Sequence, residues 1–256
     1  MTDEATRSEN SAPLLRHGPR SAFRSAAGLM LVVLLQLAAG CGAEKEPDPG
    51  RPAAAGSETF TFFELGGHSR YSESIRRRLR DQLGNDAIAH RSIIDLETSA
   101  PGFLAAHLPE LETLNRRLND PPGERVDHEV VKLMYRYARQ RDVPFDYVEL
   151  LFSGFSQLPI LFHIRFKADE AGTVDALRRR HGEPRIIDWE AGAGQSLVWQ
   201  QENEILVVSR VPDRLGEIGH RITFYFTANI DEMLQAEREQ KEQRALERRK
   251  TGKTAF

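Results

Sequence analysis

Apolar residues recur at every second position in two segments of the chain, and this spacing limits the fold more than any other feature. Residues 160–166 place Ile, Phe, Ile and Phe at alternate positions, and residues 222–226 place Ile, Phe and Phe. A period of two is the repeat of a β-strand that buries one face. Between them, residues 204–209 are apolar on both faces, which predicts a central strand. The second half of the chain is therefore expected to build a sheet.

The spacing of these strands predicts how they are connected. Residues 147–152 form a further strand, and a helix at residues 170–181, ended by Gly182, follows the strand at 160–166. Residues 187–199 read as a hairpin, and the later strands are too close together for more crossover helices. Parallel pairs need such crossovers. We therefore expect an α+β fold with a largely antiparallel sheet and helices packed on one face.

The segment before this sheet, residues 59–143, is predicted to be mainly helical. Its expected elements are a short strand at 60–65, a helix capped by Ser69 and ended by Gly84, a strand at 92–97, a helix beginning at Pro109, and a helix at 127–140. The last helix rests on apolar residues at helical spacing in 130–137.

The chain is predicted to end in a charged helix over residues 229–256. Its first turns carry Ile230, Met233 and Leu234, whereas beyond Glu237 the sequence is nearly all Glu, Gln, Arg and Lys. A helix that is polar on every side is either solvated or bridges to another molecule. We therefore expect this helix to offer a surface to a protein partner.

One long apolar run occupies residues 26–40. As a helix, this run spans roughly 22 Å, which is short of the roughly 30 Å hydrocarbon core of a bilayer. Arginines at positions 7, 16, 20 and 24 precede it. Basic residues ahead of a short apolar run are typical of a secretory signal peptide, so we expect residues 1–40 to be one.

The apolar run ends on the only cysteine of the chain, in the sequence LAAGC at residues 37–41. This stretch resembles the lipobox of bacterial lipoproteins, although Ala38 stands where leucine is most common. The resemblance implies that the signal is cleaved between Gly40 and Cys41, that the Cys41 thiol carries a diacylglycerol, and that the new amino terminus receives a fatty chain such as palmitate. By the same resemblance, Gly42 in place of Asp favours the outer membrane, with the protein facing the periplasm.

Residues 42–58 contain three Pro, three Gly and no large apolar residue, which is typical of a flexible segment. The expected organisation is therefore a signal peptide at 1–40, a lipid-anchored tether at 41–58, a single α+β domain at 59–228, and the charged helix. Within the domain, residues 144–228 are the strand-rich part. The net charge of 35 − 38 = −3 argues against a nucleic-acid partner, and a single cysteine excludes an intrachain disulfide.

The sequence has no strong catalytic or metal-binding pattern. The histidines after Cys41 lack metal-site spacing, so we expect no metal and no cofactor; they are His68, His90, His107, His128, His163, His181 and His220. Ser153 and Gly154 are expected to form a turn and not a nucleophile motif. Glu149 and Glu190 are the best acid/base candidates, although a solvated sheet face explains them equally well.

Two patterns suit anion binding, and each also has a structural explanation. Gly66 and Gly67 precede a helix, where free N–H groups favour negative charge, but such glycine pairs more often end strands. Arginines cluster at residues 76–80, 116–117 and 178–180. They would bind phosphate-bearing headgroups if they met on one surface; otherwise they are the wet faces of amphipathic helices.

We therefore expect a lipid-anchored envelope lipoprotein that binds or scaffolds an envelope protein and has no catalytic activity of its own. Two alternatives remain open from the sequence. A membrane-anchored hydrolase of envelope substrates would need Glu149, Glu190 or a histidine to converge in one cleft. A carrier of lipids or small molecules would use a concave sheet face as its pocket.

Overall fold

The structure is a computed structural model that describes residues 59–97, 100–141, 143–166, 172–189, 194–212 and 218–254. The helices of these segments are α1 (Glu73–Leu83), α2 (Phe103–His107), α3 (Pro109–Leu118), α4 (Thr173–His181) and α5 (Thr227–Thr254). The strands are β1 (Ala87–Ser92), β2 (His128–Tyr135), β3 (Tyr147–Ser153), β4 (Pro159–Phe166), β5 (Arg185–Asp188), β6 (Gln195–Gln200), β7 (Glu204–Pro212) and β8 (Ile218–Phe226). The predicted signal peptide, the cleavage site at Gly40 and Cys41, and the tether lie outside the described residues.

The eight strands form one sheet in the order β1-β2-β3-β4-β8-β7-β6-β5, and every neighbouring pair is antiparallel. The strands β1 to β4 pair in sequence order, as do β5 to β8, and the two runs join where β4 pairs with β8. The chain passes from β4 to β5, at the far edge, through α4. The predicted α+β fold with an antiparallel sheet is confirmed, as are the β5–β6 pairing and the interior position of β7.

Helices cover both faces of the sheet, because most strands carry apolar residues at both odd and even positions. On β3, Leu150 belongs to one apolar cluster and Leu151 to the other. The first cluster includes residues of α1 and packs against α4, and the second includes residues of α2, α3 and α5. The expectation of helices on one face is therefore corrected: continuous apolar strands are typical of a sheet buried on both sides.

A second correction concerns residues 127–140, for which the sequence predicts a helix. The structure has strand β2 there, followed by a 3₁₀ turn at Ala138–Arg141. β2 lies between β1 and β3 and buries Val130 in one cluster and Val131 in the other. The apolar residues of β2 fit the repeat of a helix as well as that of a strand, and pairing with neighbours on both sides stabilises the strand. Residues 59–143 therefore contribute two strands to the sheet in addition to helices α1, α2 and α3.

Smaller differences occur at element boundaries. The strand expected at 92–97 lies at Ala87–Ser92, and residues 60–65 form only an isolated bridge between Phe62 and Leu65. α1 is capped by Ser72, whose Oγ accepts the Ile75 N–H at 3.3 Å, and not by Ser69. The predicted start of α3 at Pro109 and the end of α4 at Gly182 are confirmed.

α5 begins directly after β8 and packs at the end of the sheet where β4 begins. Asn229 Nδ2 donates to the Pro159 carbonyl at 2.8 Å, and Ile230 and Met233 are buried. From Lys241 to Thr251 every residue is exposed. The predicted change from a docked helix to a solvated one is confirmed. Among the helices of the described segments, none combines the length and apolarity that crossing a bilayer requires.

Candidate functional site

One face of the sheet carries α5 where β4 begins. Further along β4, on the same face, the side chains are polar. We call this region the open sheet face. Most of its side chains remain partly exposed to solvent. Its members are Lys132, Arg136, Tyr147, Glu149, His163, Arg165, Arg221 and Thr223.

The strand register brings these residues into two rows. Glu149 on β3 pairs with His163 on β4, which pairs with Thr223 on β8. In the second row, two residues away along each strand, Tyr147 pairs with Arg165, which pairs with Arg221. Directly opposed residues on an antiparallel pair have Cβ atoms roughly 4.5–5.5 Å apart, so each row is a set of neighbouring side chains.

Glu149 is held by two partners. Lys132 Nζ lies 2.8 Å from its Oε1, and the Tyr147 hydroxyl donates to its Oε2. Burial raises the pKa of Tyr147, and the hydrogen bond to Glu149 raises it further. The side chains of Lys132 and Glu149 are only 19% and 17% exposed, so this ion pair is largely shielded from solvent. The carboxylate is therefore engaged in a structural contact.

His163 is a neutral imidazole at pH 7. Burial lowers its pKa to about 4, and the nearby Arg221, Arg165 and Lys132 lower it while Glu149 opposes them. Its Nδ1 lies 3.2 Å from Thr223 Oγ1. Thr223 is only 2% exposed, so its hydroxyl has no access to attack a substrate. The row of carboxylate, imidazole and hydroxyl thus resembles a catalytic relay only in residue type.

The second row and its surroundings are positively charged. Arg136, Arg165, Arg221 and Lys132 provide four cations, and Glu149 provides the one carboxylate of the group. The Arg165 guanidinium lies 5.6 Å from the centre of the Tyr147 ring. Arg165 and Arg221 occupy directly opposed positions on β4 and β8, so positive charge is concentrated along this row.

The Gly66–Gly67 turn binds a carboxylate of the protein itself, that of Glu204. The buried Glu204 carboxylate accepts the Phe60 N–H at 2.9 Å and also the Gly67 N–H. The Gly66 N–H is donated to Ser69 Oγ at 3.1 Å. Burial raises the pKa of Glu204, while the two backbone hydrogen bonds oppose that shift. These three N–H groups therefore already have acceptors within the protein.

The other candidates from the sequence are dispersed. No group of three or more His, Cys, Asp or Glu within the described segments is arranged to hold a metal ion. His181 ends α4 with its ring centre 4.8 Å from that of Phe60, and His220 stacks on Phe166 at 5.2 Å. The Ser153–Gly154 turn is confirmed, since Ser153 Oγ accepts two N–H groups of the turn. Glu190 lies outside the described residues.

The arginine clusters have different environments. Arg76 and Arg80 lie 2.7 and 3.3 Å from the buried carboxylate of Asp86, so they stabilise the start of the sheet. Arg178 lies 3.6 Å from Glu183 on the surface. The pair at residues 116–117 lines a pocket together with Arg238 and Lys241 of α5.

Sequence reasoning identified Glu149 and His163 but missed the cations around them. Arg165 alternates with His163 on a predicted strand, so the sequence held a signal for it. Lys132 was hidden because its segment was predicted to be helical. Comparison of the chain with protein-family models, curated proteins and solved structures found no match.

Proposed function

We propose that this protein is a lipid-anchored binding protein of the cell envelope, with its open sheet face as the surface that takes an acidic partner protein. The single observation that carries the binding role is the pair of exposed cations, Arg136 and Arg165, that lie near Tyr147 on that face, where Lys132 and Glu149 neutralise each other. The lipid anchor rests on the sequence around Cys41. Several buried acyl chains, at about 0.8 kcal/mol per CH₂, make such an attachment stable.

Charge complementarity favours an acidic partner. Arg136 and Arg165 are exposed, and arginine presents a planar fork of donors that matches carboxylates. The Tyr147 ring beside Arg165 provides the kind of aromatic contact that is enriched at protein interfaces. The exposed part of α5, residues 241–254, carries six basic and two acidic residues. Both surfaces therefore attract the same class of partner.

A binding role fits the open sheet face better than hydrolysis. Glu149 and His163 do converge, which the hydrolase alternative required. However, Thr223 is buried and Glu149 is bound by Lys132 and Tyr147. A neutral imidazole with a pKa of about 4 is also a weak base at pH 7. The carrier alternative requires an apolar pocket, whereas this face is polar and charged.

The binding role is tested with poly-L-glutamate as an acidic probe. The double variant Arg136→Glu/Arg165→Glu reverses two exposed charges, and Arg77→Glu/Arg179→Glu, which reverses two exposed charges on α1 and α4, is the matched control. We expect the double variant to weaken binding at least tenfold in a calorimetric titration at low salt, and the control to bind as wild type. Equal binding by all three proteins would refute the role of this face.

The anchor is tested separately with Cys41→Ser in cells supplied with radiolabelled palmitate. We expect the label on the wild-type protein and none on the variant, which should also appear in the soluble fraction. Label on the Cys41→Ser protein, or an uncleaved wild-type precursor, would contradict the lipoprotein assignment and would leave the binding result standing.

A further inference from the structure

A cavity of about 370 Å³ opens between the end of α3, the segment that follows it, and the middle of α5. We call it the α3–α5 pocket. Val126 and Leu234 give it an apolar side, and His128 and Glu237 contribute polar groups. Small-molecule sites commonly have volumes of roughly 300–1,000 Å³ and combine apolar walls with a few polar groups. The pocket therefore suits a small ligand and is too small for a polymer.

The polar groups of the pocket are fixed by hydrogen bonds. His128, which is 1% exposed, places Nε2 at 2.9 Å from the Leu118 carbonyl and Nδ1 at 2.9 Å from Glu237 Oε2. A carbonyl oxygen only accepts, so Nε2 carries a proton, and a second proton must lie between Nδ1 and the carboxyl group. Glu237 Oε1 also accepts the Glu129 N–H at 3.3 Å. This network joins α5 to α3 and β2 and makes the pocket rigid.

Four cations surround the opening. Arg117 lies 2.6 Å from Asp231, and Arg116 lies 3.3 Å from Glu112. Arg238 and Lys241, one turn apart on α5, both line the pocket and are exposed. Within the described part of the chain, neither forms an ion pair.

The pocket has an excess of positive charge. It is lined by four cationic side chains, Arg116, Arg117, Arg238 and Lys241, and by two acidic ones, Asp120 and Glu237. Glu237 is already compensated by the proton it shares with His128. The charge left near Arg238 and Lys241 is suited to a ligand with two negative charges, because arginine and lysine are the side chains that bind phosphate most strongly.

We propose that the α3–α5 pocket binds an organic phosphate, with the phosphate between Arg238 and Lys241 and the organic part against Val126 and Leu234. This site is separate from the open sheet face and does not depend on the acidic partner proposed there. The phosphate group could come from a soluble metabolite or from a lipid headgroup. Both present the same chemistry to the two cations.

The test is a calorimetric titration of the purified full chain with three probes. The probes are inorganic phosphate, glucose 1-phosphate and vesicles that contain phosphatidic acid. The double variant Arg238→Gln/Lys241→Gln removes the two cations. Arg248→Gln/Arg249→Gln removes the same charge from the exposed end of the same helix and serves as the matched control.

We expect glucose 1-phosphate to bind more tightly than inorganic phosphate, and the pocket variant to weaken that binding at least tenfold while the control binds as wild type. Vesicle binding that falls only in the pocket variant, without binding of the sugar phosphate, would assign the site to a lipid headgroup. Equal losses in both variants would reduce the effect to net charge and overturn the proposal, as would no binding of any probe. Arg136→Glu/Arg165→Glu should leave the sugar phosphate titration unchanged, which separates this result from the test of the open sheet face.

Discussion

Glu204 fixes the first residues of the folded unit to the sheet, and its removal should loosen that attachment. The side chain begins β7 and is 8% exposed. Its carboxylate accepts the N–H groups of Phe60 and Gly67, which lie at the start of the described chain. Glu204→Ala would leave both donors buried without an acceptor.

The expected cost follows from these two donors. A buried donor that loses its acceptor costs about 1–3 kcal/mol, so the pair costs roughly 2–6 kcal/mol. Removing a desolvated carboxylate offsets part of this cost, and we expect the free energy of unfolding to fall by about 2–4 kcal/mol. For a domain of this size, 1 kcal/mol lowers Tm by roughly 2–4 °C. Glu204→Ala should therefore lower Tm by about 4–16 °C.

Two variants make the measurement specific. Glu204→Gln keeps one carbonyl oxygen as an acceptor, so it should lose about half as much stability at pH 7. Glu202→Ala changes an exposed carboxylate in the same turn and should leave Tm unchanged. Because burial raises the folded pKa of Glu204, wild type should lose stability relative to Glu204→Gln as pH rises from 4.5 through that raised pKa.

The assay is thermal and urea unfolding followed by circular dichroism, with amide exchange at Phe60 and Gly67 as a local readout. Faster exchange at these two amides should accompany the lower Tm in Glu204→Ala. A Tm within about 1 °C of wild type, or a loss as large in Glu202→Ala, would refute the assignment of Glu204 as the group that holds this segment.

Three further predictions follow from other buried or exposed groups. The folded pKa of His163 is lowered to about 4, so wild type should lose up to about 3 kcal/mol of stability relative to His163→Gln as pH falls from 6.5 to 4; parallel curves for the two proteins would contradict this. Asp86→Asn should destabilise the fold by about 2–4 kcal/mol, because Arg76 and Arg80 would lose a carboxylate that is 1% exposed, whereas the exposed Asp81→Asn should be neutral in the same urea titration. Deletion of residues 241–256 should change Tm by less than about 2 °C, since Lys241 to Thr251 make no buried contacts, and a larger fall in calorimetry would show that this segment supports the fold.

Local patterns were sufficient for much of the strand-rich half. The alternation at 160–166 and 222–226 predicted β4 and β8, and Gly182 predicted the end of α4. The two strands could be predicted because their two faces differ in polarity. The end of α4 could be predicted because glycine commonly ends a helix.

The candidate site could be predicted only in part, because its residues lie on different strands that are brought together by folding. Glu149 and His163 lie on predicted strands, but nothing local shows that β3 and β4 place them opposite each other. The α3–α5 pocket joins residues more than one hundred positions apart in the sequence, such as Arg117 and Glu237. Single histidines, arginines and glutamates have no spacing that announces such a contact.

The α+β class of the fold, the polar character of the C-terminal helix and the expected lipid anchor at Cys41 could all be predicted from the sequence. Each depends on residues that are neighbours along the chain. Residues 128–135, in contrast, form a strand because of contacts made in the folded protein, where β1 and β3 supply hydrogen bonds on both sides of it. The same pairing placed Lys132 beside Glu149 and His128 beneath α5, so both proposed binding surfaces arise from contacts between distant segments.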